Sequence, residues 1–438
     1  MTVRPPTPAP APDRRAARHT VRVAVGLLAA TATALPLLLP ATTAYAAPRA
    51  AATRAAVASP PRAVALQRRL DAMVAAGSTA VLAEVREGTG RWSGAAGTAD
   101  LATGAPARAD GRFRIGSITK TFTATVVLQL VQEGRIRLDD PLARYLPGVL
   151  PGAGSPTVRQ VLNHTAGIYN YTEDTRVLPD ITDPAATRAW LARGRWQTWT
   201  PQRIAALAAG HRPYFRPGTG WHYSNTGYIL AGMLIEKVTG RSYASEITRR
   251  ILRPLGLRHT TLPGTSRSIP GPHAHGYLDV DGEPVDTTLM NPSVAGAAGE
   301  VISTTTDLAR FNAALLSGRL LRPAALREMT TTVDLGGGSG YGLGLMRYTT
   351  RCGTAWGHPG SIPGYGSLVI GTADGRRRLA LSYNPPTNGD GRALNSALNA
   401  LADEALCGGS GAIPARAPRL LPALSVPPAP SALPVLPD

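Results

Sequence analysis

Strand patterns occupy both ends of this chain and are scarce in its middle, and that split limits the folds open to it. Thr79 to Val85 and Arg91 to Thr98 read as two strands joined at Gly88-Thr89-Gly90, a hairpin. Near the other end, Tyr341 to Met346 and Tyr365 to Thr372 read as strands. Asp374-Gly375 then turns the chain back into a third, Arg378 to Tyr383. Between the two groups the apolar spacing is helical: Thr121 to Glu133 stops at Gly134, and Tyr228 to Val238 stops at Gly240. Val158 to Leu162, Ser303 to Leu316, and the amphipathic stretches Val64 to Ala76 and Leu394 to Leu406 complete the helices. The simplest assembly is of the α/β (α+β) class. An antiparallel sheet built from 63–125 and 285–407 is flanked by helices and carries a mostly helical insertion over 126–284. A cleft is expected where the two parts meet, with Ser117 at the junction.

The flanks read differently. Residues 1–46 have the form of a secretion signal: Arg14, Arg15, Arg18 and Arg22, an apolar run from Val23 to Ala41, and Ala44-Tyr45-Ala46 as a cleavage site. Pro36 and Pro40 suit a cleaved segment better than a spanning helix, so no membrane span is expected after cleavage. Residues 47–62 read as a flexible lead and 408–438 as a Pro-rich tail. Export makes a bond between the two cysteines, Cys352 and Cys407, the expected state, with two reduced buried thiols as the alternative. The net charge is +18, but the arginines are dispersed and form no stripe interleaved with aromatics. That excludes a nucleic-acid partner and suits a polyanionic cell envelope.

Chemistry enters at Gly116-Ser-Ile-Thr-Lys120. A helix beginning near Ser117 places the serine and lysine one turn apart on one face. Serine needs a base to become a nucleophile, and lysine serves only where burial or nearby positive charge lowers its pKa. The chain has only two lysines, Lys120 and Lys237, among 46 Lys and Arg. Arginine stays protonated, so a lysine kept at this one position points to a base. Lys237 falls in the last turn of a helix, where a cation suits the dipole. His164, in a tight turn before Gly167, is expected to bond the backbone and hold its loop. His273-Ala-His275, with Asp279 and Asp281, reads first as turn chemistry, so no metal and no cofactor is expected.

Three sets of residues stand in order: Ser117-Ile-Thr-Lys120, Tyr223-Ser-Asn225 and His358-Pro-Gly-Ser361. Together with Tyr341-Gly-Leu-Gly-Leu345 and the placement of the cysteines, they resemble the serine penicillin-recognising enzymes. That group holds penicillin-binding proteins, class C β-lactamases and related esterases. Secreted actinomycete D-alanyl-D-alanine carboxypeptidases are the most similar, over nearly all of 63–407. The resemblance implies a β-lactamase/transpeptidase-like fold and a serine hydrolase that forms an acyl-enzyme on Ser117. Lys120 would help deprotonate the serine. Tyr223, its pKa lowered by positive charge nearby, would relay protons to the leaving group. Asn225 would hold Lys120 or the substrate amide, and His358 would add positive character near the tyrosine. Gly360 would let the substrate backbone approach the strand, and the N–H groups of Ser117 and Ser361 would form an oxyanion hole. The implied partners are a peptidoglycan stem peptide or other acyl substrate and β-lactams, met by a monomer. One position departs: where carboxypeptidases of this kind carry a hydroxyl residue, this chain has Pro359, with Arg347 and Arg351 as upstream sources of charge. Esterase, amidase and β-lactamase activities use the same machinery and stand as alternatives. A non-catalytic envelope-binding or β-lactam-sensing module is the alternative of a different class.

Overall fold

The computed structural model describes residues 59–150, 155–386 and 391–408. The segments read as a secretion signal (1–46), most of the lead and the tail beyond 408 lie outside the described residues. The first helix, Pro60–Ala75, begins inside the stretch read as a lead. Its two prolines occupy the first helical positions, where a missing N–H costs nothing.

Thirteen strands follow among the described residues: β1 (Ala80–Glu87), β2 (Gly90–Asp100), β3 (Ala105–Pro106), β4 (Phe113–Arg114), β5 (Tyr277–Val280), β6 (Glu283–Asp286), β7 (Ile302–Ser303), β8 (Val333–Gly336), β9 (Ser339–Tyr341), β10 (Met346–Thr350), β11 (Gly353–Ile362), β12 (Tyr365–Thr372) and β13 (Arg377–Tyr383). Nine of them form one antiparallel sheet in the order β3-β2-β1-β13-β12-β11-β10-β9-β8. The first and last of these strands meet at its centre, where Val81 pairs with Tyr383 and Val85 with Leu379.

β1 is buried on both faces for most of its length, because helices cover the sheet on each side. On one face Leu66, Leu70 and Met73 of the first helix join Leu394, Leu398 and Leu401 of the last, Gly391–Cys407, over Val81, Leu368 and Leu381. On the other face the helices Thr119–Gln132 and Thr305–Leu316 pack against Val369 and Ala380, with Phe122 and Phe311 stacked at 3.7 Å. Cys352 and Cys407 are joined by a disulfide that ties the β10–β11 turn to the end of the last helix. Among the described residues no helix is long and apolar enough to cross a membrane.

The stretch Tyr341 to Met346, read as one strand, is the end of β9, a turn and the start of β10. Gly344 sits at φ +73°, and the Gly342 N–H donates to Leu345 O at 2.8 Å. β11 has no counterpart among the strands read from local pattern, because His358-Pro-Gly360 alone signals a turn; only the resemblance implies a strand at Gly360. A proline fits inside this strand because β10 runs out: the β10–β11 pairing ends at Gly357, while β12 stays paired through Ile362. From His358 onward one side of β11 is an open edge, the place where a proline in a strand is tolerated.

Candidate active site

The turn Gly116–Ile118 leads directly into the helix Thr119–Gln132, which puts Ser117 and Lys120 on consecutive turns. Gly116 holds φ +50°, and a Cβ there would lie 2.7 Å from both the N and the O of Ser361. The serine turn is therefore pressed against the open edge of β11. Pro359 spends its missing N–H on that edge. By the alternation of a strand, Ser361, two residues on, turns its N–H to the same side. The amides of Ser117 and Ser361 thus come from facing backbones, as an oxyanion hole requires. A Cβ on Gly360 would lie 2.0 Å from Ile115 O and 2.4 Å from Ser367 Oγ. The missing side chain makes room for the serine loop, a packing role the sequence does not signal.

Lys120 is fully buried. Its Nζ lies 2.7 Å from Asn225 Oδ1, 2.9 Å from Ala298 O and 3.0 Å from Ser117 Oγ. Burial holds its pKa well below the usual lysine value. A neutral amine has two N–H bonds and one lone pair. The amide and carbonyl oxygens can only accept, so they take the two hydrogens and leave the lone pair for the serine O–H.

The Asn225 side chain is oriented by others that the sequence reading missed. Its Nδ2 donates to Asn170 Oδ1 (3.3 Å) and Thr172 Oγ1 (3.0 Å), and its backbone N–H to Asn170 Oδ1 (3.0 Å). Asn170 in turn donates to Glu173 Oε1 at 3.2 Å. A carboxylate only accepts, so Glu173 sets the orientation of both amides. No local spacing marks Asn170, which is 55 residues from Asn225, and Ala298 offers only a carbonyl.

Tyr223 lies beside this pair, with Lys120 Nζ 4.9 Å from its ring centroid. Burial raises the Tyr223 pKa, and a hydrogen bond with Ser117 only partly opposes it. The expected lowering by positive charge is not found, because burial outweighs the one opposing influence, the Ser117 hydroxyl. Tyr223 rests as a phenol. His358 is a second correction. It is buried, and its pKa falls to about 3 through burial and the proximity of Lys120, so it brings no positive charge. Its Nδ1–H donates to Pro359 O at 2.5 Å, which leaves Nε2 to accept from the Tyr341 hydroxyl at 2.9 Å.

This depressed pKa has a consequence for stability. Below pH 6.5 the unfolded chain protonates His358 and the folded chain does not. The group's contribution is intact above pH 6.5 and is lost by about 1.4 kcal/mol per pH unit as pH falls toward 3. His358→Gln keeps an acceptor for Tyr341 and cannot titrate. It is expected to narrow the gap between melting temperatures at pH 7 and pH 4.5, and an unchanged gap would contradict the assignment.

Arg347 and Arg351 do not supply a free cation to the cleft. Arg347 Nη2 is 3.7 Å from Asp334, and Arg351 holds Asp403 and Gly408 O beside the disulfide. Lys237 is exposed in the last turn of the helix Asn225–Thr239. His273 Nδ1 bonds Gly271 O and His275 Nδ1 bonds Asp286. Among the described residues no group of three His, Cys, Asp or Glu side chains is placed to hold a metal ion.

A family model described as Beta-lactamase matches residues 66–404. Penicillin-binding protein 4* of Bacillus subtilis is 30% identical over 310 residues, covering 66% of this chain; the match takes in 64% of that relative's length. A D-stereospecific amidohydrolase from Streptomyces sp. shares 45% identity and superposes with a TM-score of 0.70, over 79% of this chain and 99% of that one. The D-amino acid amidase from Ochrobactrum anthropi SV3, solved with L-phenylalanine amide, shares 31% identity at a TM-score of 0.67, over 78% and 98% of the two chains.

Proposed function

The chain is a serine hydrolase of the beta-lactamase family, and from that premise we propose that it cleaves amides of D-amino acids through an acyl-enzyme on Ser117. The neutral Lys120 amine takes the serine proton as Oγ attacks the carbonyl carbon. The negative charge on the carbonyl oxygen falls between the amides of Ser117 and Ser361. Lys120, now an ammonium, keeps its donors on Asn225 and Ala298. Tyr223 gives its phenolic proton to the leaving nitrogen, the C–N bond breaks, and the tyrosine recovers a proton from Lys120. Water then attacks the ester by the same route in reverse.

The observation that carries the choice of substrate is the fate of positive charge around the cleft. Pro359 offers no donor, His358 is neutral, and Arg347 and Arg351 are engaged with Asp334 and Asp403. A leaving group that ends in a carboxylate finds no cation in these residues, whereas a carboxamide needs none. The two amidohydrolase structures support the same substrate class and its D configuration. Likeness to a penicillin-binding protein supports D-Ala-D-Ala carboxypeptidase as the second reading. Secretion belongs to the proposal as well, supported by the Cys352–Cys407 bond, which persists in an oxidising compartment.

The test compares initial rates on D-alaninamide, L-alaninamide and a peptide ending in D-Ala-D-Ala. The D-amide is expected to be hydrolysed fastest. Faster cleavage of the free-carboxylate peptide would overturn the amidase reading in favour of the carboxypeptidase. Intact mass after benzylpenicillin treatment is expected to show a covalent adduct that is lost in Ser117→Ala.

A further inference from the structure

We infer that His164 is a positioning residue for Tyr223, holding the tyrosine by the backbone on both of its sides and by its ring. The His164 carbonyl accepts from the His222 N–H at 3.1 Å, and its Nδ1 accepts from the Ser224 N–H at 3.2 Å. These are the N–H groups of the two residues that flank Tyr223. The imidazole itself packs 4.3 Å from the Tyr223 ring, centroid to centroid. One residue thus grips three consecutive positions of the opposite segment, and the one at the centre carries the phenol.

The bond to Ser224 fixes the tautomer. An amide N–H must donate, so Nδ1 holds a lone pair and the proton is on Nε2. That Nε2 is buried and has no oxygen or nitrogen partner. The surrounding rings are those of Tyr223, Tyr341 at 4.5 Å, Tyr228 at 5.5 Å and Trp221 at 6.0 Å. A second proton on Nδ1 would face the Ser224 N–H head-on. Burial and the neighbours Lys120, His358 and His222 disfavour the imidazolium in the same direction. His164 therefore acts through Tyr223 and carries no proton in the reaction. Its backbone serves the same end: φ is +66°, a left-handed conformation, and it turns the carbonyl and the ring toward one segment.

The inference rests on the reading of Tyr223 as the proton relay, so Tyr223→Phe is measured beside the His164 variants. His164→Asn tolerates the left-handed backbone and places an amide oxygen near the position of Nδ1. His164→Gln places its oxygen near Nε2, out of reach of the Ser224 N–H. His164→Ala removes both ring and acceptor. With a D-amino acid amide as substrate, His164→Ala and His164→Gln are expected to lose about 10²-fold in kcat with KM little changed, as a displaced catalytic group does. His164→Asn is expected to recover most of that loss, and the acid limb of kcat/KM should stay where the wild type has it. Should His164→Ala fail to fold, the contrast of Asn with Gln carries the test. Equal activity in the Asn and Gln variants, or loss of the acid limb in His164→Asn, would overturn the inference. A fully active Tyr223→Phe would instead remove the relay role on which it stands.

Discussion

Lys120→Arg is expected to lower the rate of acylation by about 10²–10⁴-fold, the range a general base supplies. The reason is the lone pair. In the neutral amine, Asn225 Oδ1 and Ala298 O can take both hydrogens, which leaves the electron pair for the Ser117 hydroxyl within 3.0 Å. A guanidinium can serve the same two acceptors, but it stays protonated and has nothing to offer the serine. The replacement also carries a structural cost, because Lys120 has no exposed surface and a larger group must fit the same space. Overpacking of this kind costs about 1–3 kcal/mol, so a lower melting temperature should accompany the lost activity. Single-turnover acylation by benzylpenicillin, followed by mass, separates the two effects. Acylation at the wild-type rate would rule out Lys120 as the base. In the wild type, kcat/KM should fall on the acid side as Lys120 takes up a proton, at a pH below the ordinary lysine range.

Gly360→Ala is expected to damage catalysis and stability together. The added methyl would enter the space between β11 and the serine loop, 2.0 Å from Ile115 O. The Ser367 hydroxyl already donates to that oxygen at 2.9 Å. The Ser367 hydroxyl can rotate aside, but Ile115 O is backbone and cannot, so Ile115 and Gly116, which lead to Ser117, must move off the edge of β11. A shift of about 1 Å is enough to cost about 10²-fold in kcat, with about 1–3 kcal/mol lost from overpacking. Gly375→Ala is the control. It lies at φ +65° in the β12–β13 turn with open space around it, so it should cost about 1–2 kcal/mol of stability and leave kcat unchanged. If Gly360→Ala behaves like Gly375→Ala, the packing role of Gly360 is wrong.

What the sequence made legible was local. Ser117 and Lys120 are one turn apart along a continuous helical stretch, so three residues of spacing suffice to place them. Gly240 ends its helix at φ +71°, as a glycine there signals. β11 was illegible for a matching reason: His358-Pro-Gly360 spells a turn to its neighbours, and only the end of β10 makes it an edge strand. Charge state was hidden as well. Whether His358 and Tyr223 are charged depends on burial by segments far away in the chain, and burial reversed the expectation for both. Glu173 and Asn170 orient the base through side chains that no periodicity links to it.

The strand order carries a consequence for how the chain reaches this state. β13 lies between β1 and β12, so the N-terminal hairpin joins the rest of the sheet only through residues 377–383. Ser117, Lys120, Tyr223, Asn225 and Ser361 all precede that strand. During synthesis every reacting group has therefore been made before the two halves of the sheet can be sutured. The contacts that close it span about 300 residues, the long-range kind that makes folding slow. Until the last strand arrives, β1 and β12 each present an unpaired edge, and the nascent protein is more exposed to misassociation than the finished one.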